Sequence, residues 1–206
     1  MKTKLLPPFE ELFFVPRIAN ELNRFIKNPD RVPNVLCLYG KPGLGKTAFS
    51  KLFAQTFAEH TQYIPMNEHT KDIETKAFKK SLLFNATTLR MSPENHPFES
   101  AVILDEFHNI TPKQQDVFKV MFDNLRPQEI VIVCCNTDDK KNIKKTLAAA
   151  IYSRVHLVKF DIEKREQADH AKDLAAIFPN LKLLEIMSWL PDMRRIVREN
   201  KMRSSE

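Results

Sequence analysis

The stretch Gly40-Lys41-Pro42-Gly43-Leu44-Gly45-Lys46-Thr47 decides how this chain is read, because it holds all 3 glycines of the 206 residues. It fits Gly-x-x-x-x-Gly-Lys-Thr, a pattern that average residue usage yields by chance in roughly one chain of this size in a hundred. The apolar residues 35–39 before it have the length and content of a buried strand. After it, residues 47–59 are predicted helical, with Phe49, Leu52, Phe53 and Phe57 on one side. A glycine loop in that setting lets successive main-chain N–H groups turn toward an anion. The helix start, with Ala48 in its first turn, adds its positive end. Lys46 is placed to reach β- and γ-phosphates, and Thr47 to offer a hydroxyl to Mg²⁺. ATP and Mg²⁺ are the expected ligands.

Outward from the loop, further strand-like runs stand at residues 63–66, 101–104, 130–135 and 155–160. Helical patterns separate them, notably 112–125 and 140–151, and another precedes the first strand at 16–27. Continuous apolar strands alternating with helices predict a parallel sheet covered on both faces. The fold expected is α/β, a three-layer P-loop nucleotidase of about five strands. Beyond Asp161 only helical patterns remain, near 162–177, 181–190 and 191–200. The expected division is a nucleotide-binding core over 1–161 and a short helical lid over 162–206.

Two further motifs carry chemistry. Ala101-Val-Ile-Leu-Asp-Glu106 is a buried strand ending in two carboxylates, and ligands of parallel sheets sit beyond the carboxyl ends of the strands. Asp105 suits the oxygen shell of Mg²⁺, while Glu106 suits deprotonating the water that attacks the γ-phosphate. Alone such a pair is a common strand terminus; its weight comes from lying 59 residues after Lys46 (105 − 46). Asn136 ends the strand Ile130-Val-Ile-Val-Cys-Cys-Asn136, where its amide could hold the water or the γ-phosphate, or else form an Asx turn.

In order, the glycine loop, Leu104-Asp-Glu-Phe-His108 and Val133-Cys-Cys-Asn136 resemble the Walker A, Walker B and sensor-1 elements of AAA+ ATPases. Ile151-Tyr-Ser-Arg-Val-His156 is similar to the Ser-Arg-Cys motif of the clamp-loader branch, with Val155 in place of Cys, and Leu190-Pro-Asp-Met-Arg-Arg195 resembles its sensor-2 segment. The resemblance spans residues 40–195. It implies that Arg154 is an arginine finger reaching a neighbouring subunit's site, and that Arg194 couples the lid to nucleotide in its own subunit. It also implies an oligomer of like or unlike AAA+ subunits, DNA, and a sliding clamp or other replication protein as partners. Asn67 falls where clamp loaders carry an Asn that restrains the catalytic glutamate. Lys71, Lys76, Lys79, Lys80 and Arg90 fall in the region resembling DNA-tracking helices, although a run of charges is also a common solvated face. Departures are a missing C-terminal collar, a short lid, and Leu-Leu-Pro-Pro-Phe-Glu-Glu where a Lys-Tyr-Arg-Pro box is usual.

Composition narrows the rest. A net charge of +6 leans toward a polyanionic partner. Cys37, Cys134 and Cys135 sit in apolar runs and are expected as buried reduced thiols. Neither a signal peptide nor a run of transmembrane length is visible, so a cytoplasmic or nuclear protein without a membrane role is expected. The six histidines show no ligand spacing, and His108 reads as structural. A helicase loader or superfamily-3-type viral helicase shares the strand-end Asn, but such helicases have shorter Walker A to B spacing and lack Asp-Met-Arg-Arg. A nucleotide-binding structural subunit would not require Glu106. A small P-loop kinase would leave Asn136 and Asp192-Met-Arg-Arg195 unexplained.

Overall fold

A computed structural model describes residues 4–75, 78, 96–137 and 142–204. Helix α1 (Pro16–Lys27) leads into β1 (Val35–Gly40), followed by α2 (Lys46–Phe57), β2 (Ala58–Pro65) and β3 (Phe98–Asp105). Next come α3 (Pro112–Asp123), β4 (Glu129–Asn136), two single-turn helices, α4 (Ile143–Thr146) and α5 (Ala149–Tyr152), and β5 (His156–Phe160). Three helices close the chain: α6 (Lys164–Ile177), α7 (Leu183–Trp189) and α8 (Met193–Arg203).

The five strands form one sheet in the order β2-β3-β4-β1-β5, and every pairing is parallel. Register brings the strand ends level. Gly40 pairs with both Asn136 and Phe160, and Pro65 pairs with Asp105. Successive side chains of a strand point to opposite faces, and the core divides accordingly. Leu36, Leu38, Ile103, Ile132 and Phe160 pack under α2 with Phe9, Phe49 and Phe53. Cys37, Leu104, Val133 and Cys135 pack on the other face with Phe107, Phe118 and Ile151. All three cysteines are free and buried, as expected from their apolar runs.

Two expectations are corrected. β2 begins at Ala58, directly after α2, rather than at 63. It is an edge strand whose Glu59, His60 and Thr61 are exposed, so it lacks the apolar run of a central strand. The single helix expected over 140–151 is, in its described part, two separate turns broken at Leu147-Ala148. The buried Gln115 amide spans the break: it donates to Thr146 O at 2.9 Å and accepts from Ala148 N at 2.6 Å. α3 begins where Thr111 and Gln114 form a reciprocal capping box with Pro112 at the first turn.

Helices α6 to α8 have an apolar cluster of their own, including Leu174, Phe178, Ile186, Met193 and Ile196. An aromatic series from the N-terminal segment joins it to the sheet. Phe13 meets Phe178 edge-on at 5.3 Å, Phe14 meets Phe160 at 5.3 Å, and Phe9 meets Phe49 at 5.6 Å. Arg17 on α1 adds a hydrogen bond to Asp161 O at 2.8 Å and an ion pair with Glu166 at 3.5 Å.

Candidate nucleotide site

The glycine loop spans the gap from the end of β1 to the start of α2, and its backbone is held by β5 and by the Asp192–Met193 segment. Gly40 has φ +143, and a Cβ there would lie 1.7 Å from the carbonyl oxygen of Phe160 on β5. Gly43 has φ +81 and faces Asp192, whose Oδ1 would be 2.8 Å from an added Cβ. Neither position accommodates a side chain. Asp192 caps α8 by accepting from the N–H groups of Arg194 and Arg195, and Met193 N donates to Gly43 O at 3.1 Å. The segment expected as sensor 2 is therefore bonded directly to the phosphate loop.

Lys46 is 5% exposed, and its ammonium donates to Gly40 O at 3.0 Å and Lys41 O at 2.7 Å. Burial pulls its pKa down, while Asp105 and Glu106 are among the groups opposing that shift. A buried cation satisfied, among the described residues, by neutral loop carbonyls is a ready partner for phosphate oxygens. Thr47 donates its hydroxyl to Asp105, 3.2 Å from Oδ1 and 3.1 Å from Oδ2. That places two hard oxygen ligands beside the helix start, a donor set suited to Mg²⁺. Tyr63, unremarked in sequence, also donates to Asp105 Oδ2 at 2.8 Å. Partial burial and this bond push its phenol pKa up, and Lys51 sits 3.7 Å over its ring.

Glu106 follows in a left-handed conformation, φ 55. Asn136 Nδ2 lies 3.1 Å from its Oε1 and 3.3 Å from its Oε2, and His108 Nε2 lies 3.3 Å from Oε2. The two residues read separately from the ends of β3 and β4 are thus in contact. Asn67 is exposed in the turn after β2, while Asn136 donates to Glu106 and His108 Nε2 lies beside it.

A cavity of about 510 Å³ opens onto residues 43–48, Glu106, Asn136 and Arg194. Its remaining wall comes from the N-terminal segment and α8, with Leu12, Phe13, Phe14, Val197 and Met202 giving an apolar surface and Arg198 and Lys201 a basic rim. Sequence reasoning missed this wall, although the phenylalanine-rich run Phe9-Glu-Glu-Leu-Phe-Phe14 was its one visible trace. A triphosphate at the loop with its base against the apolar wall fits the space and chemistry.

Arg154 stands apart from the cavity lining. Its guanidinium pairs with Asp123 through Nε–Oδ1 at 2.6 Å and Nη2–Oδ2 at 3.0 Å, which raises the arginine pKa and lowers the aspartate's. Lys71 is exposed in the turn after β2; Lys76, Lys79, Lys80 and Arg90 lie outside the described residues. No metal-binding cluster of three or more His, Cys, Asp or Glu side chains occurs among the described residues, and no described helix is long and apolar enough to cross a membrane.

Sheet order, loop and carboxylate strand together define a P-loop nucleotide-binding fold of the AAA type. Residues 36–160 match the model of the ATPase family associated with various cellular activities (AAA). The chain belongs to that family. Among solved structures it is similar to the Thermotoga maritima RuvB Holliday junction branch migration motor, at 16% identity and a TM-score of 0.54 over 90% of this chain and 60% of that one. Two single-substitution variants of Thermotoga maritima RuvB give TM-scores of 0.56 at 17% and 14% identity, covering 91% and 93% of this chain. This chain spans about three fifths of the length of these structures. No curated protein matches it.

Proposed function

We propose that this chain is an ATP-hydrolysing AAA+ subunit whose active sites are completed by a neighbouring subunit, working in DNA replication as a clamp-loader-like ATPase. One observation carries the reading: Thr47, Glu106 and Asn136 line one cavity, with Asp105 bonded to Thr47 beside it, while Arg154 is paired with Asp123 away from that lining. A guanidinium aimed away from its own site can serve another subunit's.

In this reading Lys46 and Arg194 bind the phosphates, and the loop N–H groups cradle them. Thr47 and Asp105 hold Mg²⁺, which when bound offsets the negative charge of the phosphate oxygens. Asn136 orients a water and Glu106 takes its proton as the water oxygen attacks the γ-phosphorus, whose bond to the β–γ bridging oxygen breaks to release ADP. The neighbour's Arg154 leaves Asp123 and neutralises charge on the transferred group. Residues 162–206 act as a lid, and its bond from Met193 to Gly43 lets nucleotide set its position on the core of residues 1–161. Net charge of +6 and the lysine-rich segment beginning at Lys71 favour a DNA partner. A sliding clamp or other replication protein would complete the assembly inside the cell. A helicase loader or replication helicase is the second reading, favoured by the fold shared with a protein named as a Holliday junction branch migration motor.

Mixing tests the shared site. Arg154→Ala and Glu106→Gln chains are each expected to be inactive alone, and an equimolar mixture to regain ATPase activity because one supplies the glutamate and the other the arginine. An Arg154→Ala chain with wild-type turnover at high protein concentration overturns the model. Stimulation by primed DNA plus a clamp, without strand separation, selects the loader reading; unwinding by the chain alone selects the second.

A further inference from the structure

Glu106 is held unevenly. Its Oε2 faces three nitrogens: Asn136 Nδ2 and Asn109 Nδ2, which donate to it at 3.3 and 3.4 Å, and His108 Nε2, which lies 3.3 Å away. Its Oε1 faces one among the described residues, Asn136 Nδ2 at 3.1 Å. A carboxylate offers about four lone-pair positions. Oε1 is accordingly the oxygen with room for a water, and Oε2 is the anchor.

His108 contributes to that anchor in a defined protonation state. Its Nδ1 accepts the main-chain N–H of Asn136 at 3.1 Å. A ring nitrogen that accepts an N–H carries no proton, so the neutral imidazole has its proton on Nε2, the nitrogen beside Glu106. The ring therefore stands between the last residue of β4 and the carboxylate after β3, accepting at Nδ1 and holding Nε2 3.3 Å from Oε2. Glu106 needs such a bridge: its left-handed backbone (φ 55) lies outside the sheet ladder, with its own N–H donated to Asp105 Oδ1 at 2.9 Å.

We propose that His108 is a positioning residue for ATP hydrolysis, locked as the Nε2–H tautomer by the Asn136 main chain so that it fixes Glu106 Oε2 and leaves Oε1 to take the proton of the attacking water. The proposal rests on Glu106 being the general base.

Two substitutions separate the halves of the bridge. His108→Asn keeps an acceptor near the Nδ1 position but nothing that reaches Glu106, whereas His108→Gln keeps a donor near Nε2. His108→Asn is expected to lower kcat by about 10–100-fold, the cost of a misplaced catalytic group, with the KM for ATP and the melting temperature unchanged. His108→Gln should recover most of the lost rate. ¹⁵N NMR of the wild-type ring should show a protonated Nε2 and a bare Nδ1, a readout that does not require either variant to fold. Wild-type kcat in His108→Asn, or a ring protonated at Nδ1, overturns the proposal. Glu106→Gln measured alongside keeps the two ideas apart. If it hydrolyses ATP at the wild-type rate, the general-base reading fails; if it is inert while His108→Asn is fully active, only the role of His108 fails.

Discussion

On one side of the nucleotide cavity stand Lys46, Thr47, Glu106 and Asn136, each set at the end of a strand or the start of a helix and each hydrogen-bonded to a named partner. On the other stand Leu12, Phe13, Phe14, Val197 and Met202, which meet the cavity with apolar surface and come from a loop and a late helix. The phosphate wall is built by the parallel sheet, whose register levels Gly40, Asn136 and Phe160. The apolar wall is built by packing, through the contacts of Phe13 with Phe178 and Phe14 with Phe160. One wall recognises what every nucleoside triphosphate shares. The other offers apolar surface of the kind a base would meet, and it depends on α6 to α8 being seated.

Gly43 is where the two walls meet, so changing it tests whether they are coupled. In Gly43→Ala the backbone at φ +81 becomes unfavourable by about 1–2 kcal/mol. The new Cβ also presses on Asp192 Oδ1, disturbing a helix cap worth about 1 kcal/mol. Together these lower the melting temperature by about 5–10 °C for a domain of this size. Affinity for ATP and for tripolyphosphate should both collapse, which calorimetry would measure. Full binding of either ligand would mean the loop tolerates displacement of α8.

Phe14→Ala asks the opposite question, whether the walls are separable. Phe14 is half-buried between Phe160 and Phe49 and lines the cavity, and its loss should cost about 2 kcal/mol of stability. ATP affinity should fall by about 10-fold, matching loss of roughly one aromatic contact. Tripolyphosphate affinity should hold, because Lys46 and the loop amides are untouched. An equal loss for both ligands would show that the apolar wall also shapes the phosphate loop.

The same contrast explains what could be read from sequence. Phosphate chemistry demands particular residue types at fixed spacing, so Gly40 to Thr47, Asp105, Glu106 and Asn136 were all visible, and the structure brings them together. Packing demands only apolar volume, which Leu12, Phe13, Phe14 and Val197 share with dozens of core positions. The contacts of Tyr63, and of His108, which reads from sequence only as structural, are hidden for another reason. They run across strands, Tyr63 to Asp105 and His108 to Asn136, and no local period displays them. β2 was seen late because an edge strand need not be apolar, and the broken 143–152 region because Gln115, 28 residues before Ile143 (143 − 115), supplies the bonds that let it break. Central strands, buried on both faces, had no such latitude and were legible to within two or three residues.

The smallest expected effect lies farthest from the phosphates, in the helices that carry the apolar wall. Arg203, at the end of α8, grips Glu185 of α7 with Nη1–Oε2 at 3.0 Å and Nη2–Oε1 at 2.9 Å. That fork, with the Lys182 N–H, holds the Glu185 pKa down to about 2 against an ordinary value of 4.5. A carboxylate with a depressed folded-state pKa stabilises the fold above its ordinary value, and the contribution fades as pH falls from there toward the folded value. Wild type should thus melt slightly higher than Glu185→Gln at neutral pH, and the gap should close between about pH 4.5 and 2. The pair is partly solvated, so added salt should narrow the gap as well. ATP affinity in Glu185→Gln should drop far less than in Phe14→Ala, because the apolar cluster of Leu174, Phe178 and Ile186 still seats α8. If instead Glu185→Gln weakens ATP as much as Phe14→Ala while tripolyphosphate binding is kept, the ion pair and not the aromatic packing sets the position of the apolar wall.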